Sequence, residues 1–261
     1  MSINTKQKGF TLIELAMVLF ILGLLLGGLM SPLSSRLEQA DREETKELLN
    51  QIKESLLGYA LVHGHLPCPD CPDGSFGAGC GAIDTNDPAE INDGVEDGVD
   101  IGVNRVDRTN ADYSCATEMG NIPWATLGIP ENDAWGRRFV YSVDESFADN
   151  TDGTGCGLTA TSGISFEICS TGDMEILDTS ANTVADEVPA LVYSLGKNGE
   201  AFGGTAPVSA AELRNWWTTT GDRKFTSDTY VQAAGSEYDD LLAWISSPSL
   251  MYRMVSAGLL P

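Results

Sequence analysis

Gly9-Phe10-Thr11-Leu12-Ile13-Glu14 leads straight into LAMVLFILGLLLGGLM, residues 15–30, where every position is apolar or glycine. Counted from Phe10, the apolar stretch is about 21 residues long and interrupted only by Thr11 and Glu14. That is close to the roughly 20 residues an α-helix needs to cross a bilayer core. A carboxylate at that depth is costly unless it is paired, so Glu14 marks a function. The flank before it, MSINTKQKG, holds Lys6 and Lys8 and no acid. Basic flanks stay cytoplasmic, which predicts that the remainder of the chain is exported. A cleaved secretory signal has a shorter apolar run and a small-x-small site behind it. Here Ser31-Pro32 follows instead, and the apolar segment is expected to stay attached to the exported part.

Beyond Pro32 a helical pattern resumes. Proline lacks an N–H and crowds the preceding turn, so a kink or local melting is expected there. Leu48, Ile52, Leu56 and Tyr59 recur at helical spacing and predict one apolar stripe. Glu38 and Arg42 form an i,i+4 pair on the wet side. A helix from Phe10 to about Val62 would hold about 53 residues and extend roughly 80 Å. Gly64 and Pro67 supply its stop. Gly23, Gly27 and Gly28 either let helix backbones approach closely or reflect the glycine content of membrane helices in general.

The string Gly9-Phe10-Thr11-Leu12-Ile13-Glu14, with a basic leader before it and an apolar helix behind, resembles the processing site of type IV pilins and type II secretion pseudopilins. The likeness is close over about residues 6–60. It implies cleavage between Gly9 and Phe10 by a membrane aspartyl peptidase, with N-methylation of the new Phe10 terminus. It implies four parts: a leader at 1–9, a transmembrane and assembly helix at 10–31, an amphipathic half of the spine at 32–63, and a periplasmic or extracellular head at 64–261. The implied partners are the prepilin peptidase and N-methyltransferase, other pilin subunits, an inner-membrane assembly platform and membrane lipid. The implied location is a bacterial inner membrane, single-pass with a cytoplasmic N-terminus, and then a pilus or pseudopilus. Elementary electrostatics agrees. Cleavage creates an α-ammonium at the end of an apolar helix, and staggered packing lets Glu14 of one subunit meet the Phe10 amine of its neighbour. Each charge alone is costly in hydrocarbon; together they neutralise one another and set the register.

Composition narrows the head. Lys and Arg number 15 against 38 Asp and Glu, a net charge of −23, and removal of Lys6 and Lys8 makes it −25. Such acidity, with scattered Arg and Lys, argues against nucleic-acid binding. Roughly 190 residues beyond the helix suffice for one domain with a real core. Six cysteines, all beyond the apolar segment, predict three disulfides in an oxidising compartment. Cys156–Cys169 is favoured as a closed local loop, leaving Cys68, Cys71, Cys80 and Cys115 to pair among themselves. An exported location favours bridges over a zinc site built from His63, His65, Cys68 and Cys71. The two histidines are expected to cap the helix C-terminus.

Residues 68 to about 135 are rich in Gly, Asp, Asn and Pro and read as a long cysteine-tied loop. Asn92-Asp93-Gly94 and Asp97-Gly98 invite an EF-hand reading. From Asp93, however, the third position is Val95 and the twelfth is Asn104, so that pattern fails. Strands are expected at 138–143, 164–168 and 190–195. Helices are expected at about 208–217, with Ser209 as N-cap and Glu212 three residues on, and at about 237–257, divided by Pro248. The fold class is α+β: a long N-terminal helix packed on a small antiparallel sheet, with a disulfide-tied loop and C-terminal helices.

Asp133-Ala-Trp135-Gly136, then Tyr193-Ser-Leu-Gly196-Lys-Asn-Gly199, then Asp239-Asp240 with Trp244 resemble the C-terminal part of type II secretion pseudopilins. The resemblance implies no required cofactor. It does imply Ca²⁺ as a candidate ligand, held by the carboxylates of Asp239 and Asp240 with carbonyls around Ser194–Gly196. Lys197-Asn198 departs from that pattern where an acid would help, and the spacing to Asp239 is long. The competing reading is a hairpin turn beside a helix N-terminus whose dipole favours the two acids. No G-x-S-x-G, Walker A, G-x-G-x-x-G or H-E-x-x-H string occurs, and the chain has two histidines, so no catalytic residue is expected. The function expected is a structural subunit, a minor one, of a type IV pilus or pseudopilus. The alternatives are a pseudopilin of a type II secretion system and a pilin-displayed binding head, the latter motivated by Trp216-Trp217.

Overall fold

The computed structural model describes residues 11–72, 80, 92–100, 113–149, 161–199, 206–207, 209–216, 223–232 and 236–261; the side chains of 25–34, 99, 100 and 113 are not described. Helix α1 spans Leu12–His63, 52 residues. It is helical on both sides of Pro32 and through it, so of the two expected outcomes, kink or local melting, the melting is absent: one proline removes a single N–H from the ladder. The helix stops where Gly64 takes φ +81°. A Cβ there would collide with the Gly163 carbonyl, so a residue without one is required. The chain divides within α1 into two compact units, residues 1–43 and 44–261. Among the described residues no helix is long and apolar enough to cross a membrane. The expected span runs through residues 25–34, whose side chains lie outside the description.

The second unit holds the core. Its strands are β1 Gly98–Asp100, β2 Tyr113–Cys115, β3 Met119–Asn121, β4 Val140–Val143, β5 Met174–Leu177, β6 Thr183–Val188, β7 Ala190–Ser194, β8 Lys224–Thr226 and β9 Leu241–Ile245. Its later helices are α2 Trp124–Leu127, α3 Ala210–Asn215 and α4 Ser247–Ser256. A four-stranded antiparallel sheet runs β3-β4-β7-β9, and a three-stranded sheet runs β6-β5-β8. The second sheet departs from expectation because β5 and β8 are parallel.

Strand periodicity explains the layering. Side chains alternate between faces, so Tyr141, Val143, Ala190 and Val192 join Leu49, Ile52 and Leu56 of α1 and Leu250 and Met254 of α4 in one core. Val140, Leu191 and Tyr193 point the other way, into a second core with Met174, Ile176 and Phe225. A strand covered on both faces reads as a continuous apolar run, which is why VYSV and ALVYS are buried throughout. Each fully buried Leu, Ile or Phe contributes about 1.5–3 kcal/mol by leaving water. The buried stripe of α1 is Thr45, Leu49, Ile52, Leu56 and Ala60, while the expected members Leu48 and Tyr59 sit half-buried on its flanks.

Three further expectations are corrected. Residues 164–168 form no strand; Ile164 and Phe166 fill the core from an irregular segment instead. The expected helix at 237–257 begins as strand β9, which pairs along the whole of β7; only α4 is helical, with Pro248 in its first turn where a missing N–H costs nothing. The cysteine-tied loop contains β1, β2, β3 and α2. Its bridges are Cys68–Cys115 and Cys71–Cys80, resolving the pairing left open among those four. Cys169 is also disulfide-bonded; its expected partner Cys156 lies outside the described residues.

Candidate functional site

Two turns and a strand end meet beside β7. The first turn, Asp133-Ala-Trp135-Gly136, is built on one carboxylate: Oδ1 of Asp133 accepts the N–H groups of Trp135 and Arg137, both at 2.9 Å. Its other oxygen, Oδ2, accepts the Ser194 hydroxyl at 2.6 Å, which ties this turn to the second, Ser194–Gly199. Gly196 sits at φ +62°, and a Cβ there would fall 2.6 Å from the Asp239 carboxyl. The N–H groups of Lys197 and Asn198 reach Oδ2 of Asp239 at 2.9 and 3.3 Å. The two strings singled out in the sequence are therefore brought together with Asp239.

Asp240 points into the interior from the start of β9. Its Oδ2 accepts Nδ2 of Asn215 at 2.7 Å. Asn215 also donates to the Thr226 carbonyl at 2.8 Å and accepts the Thr226 N–H at 2.7 Å. Glu212, on the inner side of α3, accepts the Asp239 N–H at 3.1 Å and Nδ2 of Asn198 at 3.3 Å. The capping box expected between Ser209 and Glu212 is not made: Ser209 is the N-cap but its side chain makes no cap bond, and the Glu212 carboxylate goes to Asp239 and Asn198 instead. Oxygens of Glu212, Asp239 and Asp240 lie within 4.8 Å of one another, and all three residues are buried. Burial holds the Asp240 carboxyl well above the usual carboxylate range, with Glu212 and Asp239 adding repulsion. Burial first, and Asp239 next among the repulsive neighbours, also raises Glu212.

Such a cluster suits a hard cation, which takes oxygen ligands and neutralises gathered carboxylates. Towards Asp239 the Ser194–Gly199 turn presents the N–H groups of Lys197 and Asn198. Glu212 and Asn215 were missed as site residues. Their signal was weak: a helix Glu read as a cap, and a single Asn between Arg214 and Trp216.

At the other end of the chain, Thr11 and Glu14 close on each other. Oε2 of Glu14 accepts the N–H and the hydroxyl of Thr11, each at 2.9 Å, and the Thr11 hydroxyl accepts the Glu14 N–H at 3.3 Å. This is a capping box, reciprocal bonding between an N-cap Thr and a Glu three residues on. Behind it the side chains from Leu12 to Leu24 are exposed all round, Leu12 by 88 % and Phe20 by 69 %. An exposed apolar surface on this scale marks a contact with lipid or with other chains.

Residues 4–30 match the prokaryotic N-terminal methylation motif. The chain carries a prepilin-type N-terminus. This motif is the signature of type IV pilins and pseudopilins. A prepilin-type segment implies processing by a prepilin peptidase and assembly with other pilin-like subunits. No curated protein and no solved structure matches the chain.

Proposed function

We propose that this chain is a structural subunit, a minor one, of a type IV pilus or pseudopilus. It assembles through its N-terminal helix after removal of residues 1–9. The match to the methylation motif over residues 4–30, a stretch that includes Gly9, Phe10 and Glu14, supports this reading. In this proposal the apolar stretch from Phe10 to Ser31 spans the bacterial inner membrane, with the leader cytoplasmic and the head exported. Lipid and neighbouring subunits then cover the exposed side chains of Leu12–Leu24. Glu14, held by Thr11 in the single chain, exchanges that partner for the Phe10 ammonium of the next subunit. The test is mass spectrometry of the membrane-extracted protein. An N-terminus at methylated Phe10 is expected; retention of residues 1–9 refutes the processing. Glu14→Ala should leave the membrane-bound monomer stable while abolishing or disordering filaments, and normal filaments would remove Glu14 from that role.

The join of the Trp135-Gly136 turn to the Ser194–Gly199 turn favours, as a second reading, a pseudopilin serving type II secretion. That reading includes a cation on Asp239 and Asp240, with Glu212 as a further carboxylate. The donor set fits calcium, since all three ligands are hard oxygens gathered within 4.8 Å. Bound calcium would neutralise the buried charges and tie α3 to the start of β9. Thermal unfolding with Ca²⁺ and with a chelator decides the point: a higher melting temperature with Ca²⁺, abolished in Glu212→Gln/Asp240→Asn, is expected. Equal melting temperatures would leave the pocket a purely hydrogen-bonded one. A binding head displayed by its aromatics is less favoured, because Trp216 packs against the Tyr193 core; Trp217 lies outside the described residues.

A further inference from the structure

Asp70 lies where three segments cross. Its backbone bridges Asn121 at the end of β3 in both directions, at 3.0 and 2.8 Å. The segment 92–98 then folds over it. Asn92 N–H reaches the Cys71 carbonyl at 3.0 Å, Asp97 N–H reaches the Pro69 carbonyl at 3.2 Å, and Cys71 N–H reaches Oδ2 of Asp97 at 2.7 Å. Gly94 N–H reaches Oδ2 of Asp70 at 3.3 Å, and Cys68 N–H reaches Oε2 of Glu96 at 3.1 Å. Three buried carboxylates, Asp70, Glu96 and Asp97, therefore hold this clasp together beside the Cys68–Cys115 and Cys71–Cys80 bridges.

Asp70 stands apart from the other two. It is 0 % exposed, and its Oδ1 accepts no hydrogen bond. The charged groups that face it are Asp97 and Asp93 from the overlying segment and Arg138 from the approach to β4. Arg138 is already engaged: it donates to Asn92 Oδ1 at 2.6 Å, pairs with Glu131 at 2.9 Å and lies over the Trp124 ring. Among the described residues the acids whose oxygens gather closely enough to hold a metal ion are Glu212, Asp239 and Asp240, and Asp70 is not among them. A proton needs only one oxygen, and Oδ1 is the oxygen left without a donor.

We propose that the folded head keeps a proton on Asp70, and that the neutral carboxyl lets segment 92–98 stay closed on Pro69–Cys71 as an alkaline-sensitive clasp. Loss of the proton to solvent leaves Asp70, Asp93 and Asp97 all anionic around one committed guanidinium, and the mutual repulsion lifts the segment away. Burial, then Asp97 and Asp93, push the Asp70 carboxyl up to about 8, which sets the range in which the latch works.

The experiment uses the full chain, ¹³C-labelled and solubilised in detergent, with aspartate carboxyl shifts followed from pH 4 to 10. One aspartate titrating near pH 8 is expected. It disappears in Asp70→Asn and moves down by at least one pH unit in Asp97→Asn, where an anionic neighbour is gone. In parallel, amide exchange at Asn92, Gly94 and Asp97, corrected for intrinsic base catalysis, speeds up at least tenfold between pH 6 and 9 in the unaltered chain. If Asp70→Asn fails to fold, the titration of the unaltered chain and of Asp97→Asn still decides. An Asp70 midpoint below pH 5, or exchange rates that do not change over that range, overturns the proposal.

Discussion

Asn215, at the end of α3, ties that helix to Thr226 of β8 and to Asp240. Its side chain holds the Thr226 N–H, the Thr226 carbonyl and Asp240, and its carbonyl accepts the Tyr193 hydroxyl at 2.8 Å. Each buried group stripped of its partner costs about 1–3 kcal/mol. Asn215→Ala strips several at once, so a loss of about 3–4 kcal/mol in urea unfolding is expected. A loss under about 1 kcal/mol would mean that water enters and replaces the amide. Asp70 makes a second, pH-dependent statement at this scale. Its carboxyl titrates near 8 in the folded head and near 3.9 in an unfolded chain. Below about pH 4 both states hold the proton; between there and about pH 8 only the folded state does. Raised pH therefore removes stability, by up to about 1.4 kcal/mol per pH unit, and the loss levels off beyond pH 8. Denaturation midpoints measured from pH 5 to 9 should fall in the unaltered head and lie flatter in Asp70→Asn.

Between elements, the two described bridges differ in reach. Cys68–Cys115 closes a separation of 47 residues and Cys71–Cys80 one of 9. Loop-closure entropy in the unfolded chain makes the first worth about 4 kcal/mol and the second about 2.5 kcal/mol. Cys68→Ser/Cys115→Ser should therefore lower the melting temperature more than Cys71→Ser/Cys80→Ser does, and the reverse order would show that strain or denatured-state structure governs instead. The elements themselves were unequally legible. The run to Met30, the stop at Gly64 and the strands around VYSV and ALVYS could be read from periodicity and punctuation alone. Strand β9 could not: LLAWI before a proline reads as helix until β7 is there to pair with it. The parallel pairing of β5 with β8 is likewise a long-range contact that no local pattern announces. In the site, Asp239 and Asp240 were visible as a doublet. Glu212 was mistaken for a cap because only the fold turns it towards Asp239. The clasp on Asp70 was invisible for the same reason, its acids lying in a stretch that reads as solvated loop.

The whole chain poses an electrostatic problem for any assembly. In the assembly proposed above, subunits joined through apolar helices bring their heads together, and this head carries most of a net charge of −23. At about 10 mM ionic strength the screening length is about 30 Å, so every head feels its neighbours; at about 150 mM it falls to about 8 Å, and repulsion is confined to direct contacts. The helix contribution is nearly indifferent to salt, because lipid and apolar side chains supply it. Assembly of the processed subunit should therefore rise steeply as monovalent salt increases through this range, while the melting temperature of the isolated subunit changes little. Calcium should promote assembly beyond its share of ionic strength if the Glu212–Asp239–Asp240 pocket takes it, and only in proportion to ionic strength if it does not. Sedimentation of filaments across a salt series, run with NaCl and with CaCl₂ at matched ionic strength, separates these outcomes. Assembly that weakens with salt would mean that ion pairs between heads outweigh their repulsion. The acids would then have to be matched by clustered cations on a neighbouring subunit, which the scattered arginines and lysines of this chain do not provide.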